Sequence, residues 1–235
     1  TGVQTCALPI SKVPPIEQFW APVLSSSDPV TIYIGHPADA TSEPVASLMD
    51  LMKSERVAFA DASAMARLSG LLADHNKTYH LRLQTSANVE DLKDGSSILI
   101  GAFNNTFTLR LTGPLRFSFA LDPKTHLSYI RDSKNPSSME WSHDANAPYT
   151  NLTKDYAVIS RLIDPTTGRW VVTASGLSKY GTEAAGEFLT SSAAIEELNK
   201  IAPKDWGQKN MQIVIEMHVV GRAAGPAHII ESYFW

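Results

Sequence analysis

Ser97-Ile98-Leu99-Ile100-Gly101-Ala102-Phe103, running straight into Asn104-Asn105-Thr106, is the stretch whose reading decides the fold. Apolar residues occupy both alternating positions of this short run, the pattern of a strand buried on two faces in a parallel sheet. Upstream, Val30–Gly35 (VTIYIG) has the same character and also ends in glycine, while Tyr79–Gln84 (YHLRLQ) is a third strand with alternating character. Between them, Met65, Leu68 and Leu72 share one helical face, which predicts a helix over Asp61–His75 that Asp61 can cap. Asn88–Asp94 (NVEDLKD) predicts a short capped helix before Gly95. Strand, helix, strand, helix, strand in this order implies right-handed crossovers and a parallel sheet.

The second half changes character. Arg116–Leu121 (RFSFAL) and His126–Arg131 (HLSYIR) read as strands inside an otherwise irregular stretch, 106–153, which is expected to form a cap or insertion over the sheet. Asp155–Ile163 and Arg169–Ser175 are joined by Asp164-Pro165-Thr166-Thr167-Gly168, a turn composition that predicts an antiparallel hairpin. Helices are expected over Thr182–Leu189 and Ser192–Ile201. Strand Met211–Val220, a loop Gly221–Ala227 and a last strand His228–Trp235 follow. The expected class is therefore α/β: a Rossmann-like three-layer sandwich with a mixed, mainly parallel sheet and antiparallel hairpins in the C-terminal half. Residues 30–235 read as a single domain, and 11–29 (SKVPPIEQFWAPVLSSSDP) as a linker that docks Phe19 and Trp20 onto its edge. Residues 1–10 (TGVQTCALPI) look like the translation of a sequencing-adapter oligonucleotide and are set aside as an assembly artefact.

The 235 residues are 43% hydrophobic and 19% charged, the make-up of an ordinary globular protein. A formal net charge of -4 with Lys and Arg scattered singly gives no basic face, so nucleic-acid binding through this domain is not expected. No apolar run reaches the roughly 20 residues that cross a bilayer. With Cys6 set aside, disulfides, cysteine-ligated metals and a cysteine nucleophile are excluded from the visible chain. The seven His residues, including His75 and His80 beside a helix-to-strand join, show no H-x-x-x-H or H-E-x-x-H spacing. No metal and no cofactor are expected.

In an open α/β sheet, ligands bind beyond the carboxyl ends of parallel strands, where helix N-termini converge. Three segments end strands in that way. After the first come Gly35 and His36, a histidine that Asp39 could orient as a proton carrier. After the third come Asn104, Asn105 and Thr106, whose amides suit a sugar, nucleoside or carboxylate, with Arg110 nearby. The richest is Gly176–Thr182: Ser178 and Thr182 bring hydroxyls, Lys179 a charge, Tyr180 a ring and Gly181 backbone freedom at a helix start. Each has a plain alternative as turn or cap, and no G-x-G-x-x-G, P-loop or G-x-S-x-G motif accompanies them. Glu183 and Glu187, four apart, read as solvated charge. Trp141 and Tyr149, in the irregular middle region, are placed to form part of a ligand lid, whereas Trp170 and Trp206 read as packing residues.

ILIGAFNNTFTLRLTG, DYAVISRLIDPTTGRW and ASGLSKYGTEAAGEFLT together resemble a family of bacterial soluble α/β domains of uncharacterised function. The resemblance spans most of Phe19–Trp235. It implies the C-terminal part of a larger protein behind a membrane-anchoring or DNA-binding segment, so membrane or DNA contact is assigned to an upstream part. It brings no catalytic residues.

These readings combine into a non-catalytic domain that senses or binds a small polar or anionic ligand at the ends of Gly35, Asn104 and Gly181. Two alternatives stand beside it. One is a transferase or hydrolase using His36 with Asp39, and Lys179 or Thr182 to hold an anion; the other is a structural module that contacts a partner.

Overall fold

The computed structural model describes residues 13–36 and 56–235. Five α-helices and ten strands are found among them: α1 (Pro15–Leu24), β1 (Val30–Ile34), α2 (Phe59–Asp74), β2 (Tyr79–Leu83), β3 (Ser97–Ile100), α3 (Thr106–Thr112), β4 (Phe117–Leu121), β5 (Leu127–Asp132), β6 (Ser142–Asp144), β7 (Lys154–Ile163), β8 (Trp170–Gly176), α4 (Lys179–Thr190), α5 (Ser192–Ile201), β9 (Met211–Val220) and β10 (Ala223–Phe234).

Seven strands form one mixed sheet in the order β10-β9-β7-β8-β3-β1-β2. Its first half is parallel, with β1 between β2 and β3 and β8 beside β3. Beyond β8 every pairing is antiparallel. The period-2 alternation of side chains sorts the core. Ile32, Ile34, Ile98, Ile100, Val172 and Ala174 pack with Leu68, Leu72, Ala185 and Phe188 of α2 and α4. Tyr33, Leu99 and Val171 point the other way, onto Phe107 and Leu111 of α3. Farther along that second face, Val158 and Val214 meet Phe117 and Ile130 of a separate antiparallel sheet, β4-β5-β6. The irregular stretch 106–153 thus holds a helix and a small sheet. Gln212 ties that sheet down, donating Nε2 to Phe117 O at 2.8 Å while Oε1 accepts from Phe117 N at 2.9 Å.

The stretch read as a linker holds α1, opened by Pro15 at its first turn, and Phe19 and Trp20 are fully buried. Pro14, Pro15 and Ser25–Ser27 signal a loop, but proline suits a helix's first turn and two buried aromatics drive docking. Trp20 Nε1 donates to Leu189 O at 3.0 Å. Arg161 of β7, with no exposed surface, completes the joint by donating to Phe19 O at 2.8 Å, Trp206 O at 2.7 Å and Lys209 O at 2.9 Å.

Other boundaries differ from the sequence expectation. The helix expected over Thr182–Leu189 is α4, which starts at Lys179, so Gly181 and Thr182 lie inside its first turn instead of opening it. Helix α2 starts at Phe59, so Asp61 lies inside its first turn instead of capping it. Asn88–Asp94 forms a 3-10 turn, Val89–Lys93, under a capping box between Asn88 and Asp91. The expected loop Gly221–Ala227 shrinks to a two-residue turn with positive φ at Gly221 and Arg222. β10 begins at Ala223, and a register shift between Ala224 and Ala227 absorbs Gly225 and Pro226. Proline is tolerated because β10 is an edge strand with one row of unpaired donors.

Candidate functional site

β1, β3 and β8 are parallel neighbours, so their carboxyl ends lie on one rim, joined by the amino end of antiparallel β7. Gly35 N donates to Ile100 O at 2.9 Å, Gly101 N to Ala174 O at 3.0 Å, and Ser175 Oγ to Gly101 O at 3.0 Å. All three strand-end reversals expected from the sequence therefore follow one another along that rim. They divide into two groups with different chemistry.

The first group lies over β1 and β3, where the direction of chain progression reverses. Asn104 folds its amide over Gly35 and Gly101, and a Cβ added at Gly35 would stand 2.6 Å from Asn104 Cγ. Gly101 also holds φ at +100°, which other residues rarely adopt. His36 N donates to Asn104 O at 2.8 Å, and His36 is buried. Asn104 Nδ2 donates to Asp61 Oδ2 at 2.7 Å. Asp61 is 3% exposed, and burial pushes its pKa up to about 6 against the opposing hydrogen bond from Asn104. Asp39 lies outside the described residues.

Asn105 is an architectural residue. Its Oδ1 caps α3 by accepting from Phe107 N and Thr108 N, and its Nδ2 donates to Ile100 O at 2.9 Å and Tyr33 O at 3.2 Å. Thr106 is exposed at the first turn of α3. Arg110 is held by Asp164 at 2.6 Å.

The second group forms where β8 meets α4. Asp155, with no exposed surface, has four hydrogen-bond partners. Tyr156 N reaches Oδ1 at 2.7 Å and Gly181 N reaches Oδ2 at 2.6 Å. Ser178 Oγ donates to Oδ2 at 2.5 Å, and His143 Nε2, from β6, meets Oδ1 at 2.7 Å. The His143 ring stacks on Tyr156, with centroids 5.7 Å apart. Gly176 makes the approach of α4 possible, because a Cβ there would collide with Thr182 N and the Gly181 backbone. Thr182 Oγ1 accepts from Gly176 N at 3.2 Å. Lys179 is exposed, its ammonium over the buried Tyr180 ring at 4.7 Å.

In front of this group, between the small sheet and the rim, opens a cavity of about 660 Å³. Phe103, Leu121, Pro148 and Leu177 form much of its wall, and His143 and Ser178 bring polar atoms to it. Lys154 stands at the same wall, its ammonium on Glu216 at 2.9 Å. Trp141 packs edge-on against Phe117, centroids 5.9 Å apart, and the Tyr149 side chain lies outside the described part of the structure.

Of the residues expected from sequence to hold a ligand, Ser178 lines this cavity. Gly35 and Asn104 meet each other, and Ser178, Gly181 and Thr182 meet around Asp155 and Gly176. Sequence reasoning missed Asp61, His143 and Asp155 as site residues. Asp61 falls on the stripe of Met65, Leu68 and Leu72, where a carboxylate is out of place, and that signal was legible. His143 and Asp155 carry none, since twelve positions separate them and only the pairing of β6 and β7 with different sheets brings them together.

Ser178 Oγ donates a hydrogen bond to Asp155, and His143 meets the other oxygen of the same carboxylate. Among the described residues no group of three His, Cys, Asp or Glu is placed to hold a metal ion, and no helix is long and apolar enough to cross a membrane. No family model and no curated protein matches the chain.

Proposed function

We propose that this protein is a non-catalytic domain that senses a small molecule, bound in the cavity between β4-β5-β6 and the rim. The observation that carries the reading is the cavity itself: about 660 Å³, with an apolar part of its wall from Phe103, Leu121, Pro148 and Leu177 and polar groups that include the fixed His143 and Ser178. Sites for small organic ligands run from about 300 to 1,000 Å³ and have that make-up. Asp155 supports a binding site because its four hydrogen-bond contacts hold Ser178 and His143 in place at the cavity wall. A Rossmann-like three-layer frame belongs to the same proposal. Its support is the parallel β2-β1-β3-β8 half, with α2 and α4 in the core of one face and α3 and the small sheet on the other. Because the cavity lies between two sheets, its filling bears on how the small sheet docks, which is how a sensor passes on its state.

The test is a thermal-shift screen of small amphipathic compounds on the full chain, since a ligand specific for the folded state raises the melting temperature. Ala147→Trp, at an exposed position on the cavity wall, fills the space from its mouth. Compounds that stabilise the wild-type chain should lose their effect on this variant and keep it on Asn104→Ala. Compounds that act equally on Ala147→Trp would place binding elsewhere and end the reading.

A further inference from the structure

We infer that the cavity takes a neutral ligand with an apolar body and one O–H or N–H donor, and that His143 Nδ1 is the acceptor for that donor. The inference rests on the cavity reading above. Asp155 is enclosed and already accepts from Ser178 Oγ, Tyr156 N and Gly181 N, so it meets the imidazole as an acceptor. The Nε2 atom, 2.7 Å from Oδ1, must therefore carry a proton. In a neutral imidazole that proton leaves Nδ1 with a lone pair. Nδ1 has no hydrogen-bond partner among the described residues, although the side chain is only 13% exposed and lines the cavity.

The ring cannot turn to satisfy itself. It is stacked on Tyr156 and anchored through Nε2, so its free lone pair has a fixed position. A carboxylate backing a histidine in this way fixes the tautomer and makes the distal nitrogen a better acceptor. The rest of the wall selects the ligand's body. Phe103, Leu121, Pro148 and Leu177 suit an alkyl or aromatic group; the one cation among the wall's described residues, Lys154, is turned to Glu216, and the wall's carboxylate, Asp144, which accepts from Asn146 N, disfavours an anion. A phenol or alcohol on a hydrocarbon body satisfies both demands. The corresponding ether fills the same space, displaces water from the histidine acceptor and leaves it unpaired, which is the more expensive arrangement.

The probes are 4-pentylphenol and its methyl ether, 4-pentylanisole, titrated calorimetrically into the full chain. The phenol should bind about tenfold more tightly, the weight of one buried hydrogen bond to an otherwise unsatisfied acceptor. In His143→Phe, which keeps a ring on Tyr156, the phenol should fall to the affinity of the ether. Nitrogen NMR of the wild-type imidazole, in a buffer alkaline enough to hold it neutral, should show the proton on Nε2. A proton on Nδ1 overturns the inference, and that measurement stands whether or not the variant folds. Equal affinities for the two probes, both abolished by Ala147→Trp, overturn it while leaving the cavity reading intact. A preference for the phenol that survives in His143→Phe overturns it as well. Absence of binding by either probe to the wild-type chain removes the assigned ligand class.

Discussion

Replacing Asp61 with asparagine should make the protein more stable at neutral pH, and the gain should disappear in acid. Asp61 sits in the first turn of α2, 3% exposed, with Asn104 Nδ2 as its hydrogen-bond donor. Its pKa moves from 3.8 to about 6 on folding because burial penalises the charge. The folded state therefore holds this proton more tightly than the unfolded chain, so Asp61 lowers stability as pH rises through the window from 3.8 to about 6. At roughly 1.4 kcal/mol per pH decade, the full penalty above that window is about 3 kcal/mol. The substituted amide would keep an oxygen for Asn104 and carry no charge. The helix N-terminus favours a carboxylate by about 0.5 kcal/mol, which trims the gain. Urea unfolding of both proteins, followed by tryptophan fluorescence, measures it. The stability difference between Asp61→Asn and wild type should shift in the variant's favour by about 2 kcal/mol between about pH 4.5 and about pH 7.5. A difference that stays flat across that range would refute the reasoning, because it would mean that Asp61 ionises as freely in the folded protein as in the unfolded chain.

Arg161→Met should cost about 3 to 5 kcal/mol in urea unfolding, since it strands the buried carbonyls of Phe19, Trp206 and Lys209 and releases α1; a loss below about 1 kcal/mol would show the clasp to be dispensable. Gly176→Ala should cost about 3 kcal/mol because its methyl group meets the backbone of α4, and unchanged thermal stability would contradict that close approach. Asn105→Ala should lose about 2 to 3 kcal/mol through the α3 cap and two buried carbonyls. Asn105→Asp retains the cap yet aims a carboxylate at Ile100 O and Tyr33 O. It should be at least as destabilising as alanine at neutral pH, and rescue by aspartate would show that capping alone matters.

The strands and their class could be read from the chain before any contact was known. VTIYIG, SILIGAF and the DPTTG turn between β7 and β8 are local signals: alternation, β-branching and turn chemistry act over a few residues and do not await a partner. Helix Ser192–Ile201 was legible with its bounds, because an apolar stripe lies within it and a capping serine, Ser191, stands at its start. Within the stretch read as a linker, Phe19 and Trp20 dock as expected, but Pro15–Leu24 does so as helix α1, because their packing against α5, Trp206 and Arg161 outweighs the proline and serine composition. The candidate site divides along the same line. Glycine and asparagine at strand ends could be read directly, since backbone geometry demands them there. Which of them faces a cavity could not, because that depends on where β4-β5-β6 docks on the main sheet. His143 and Asp155 belong to strands of different sheets. Only the docking of those sheets turns an ordinary histidine and a strand-end aspartate into a hydrogen-bonded pair with a free nitrogen.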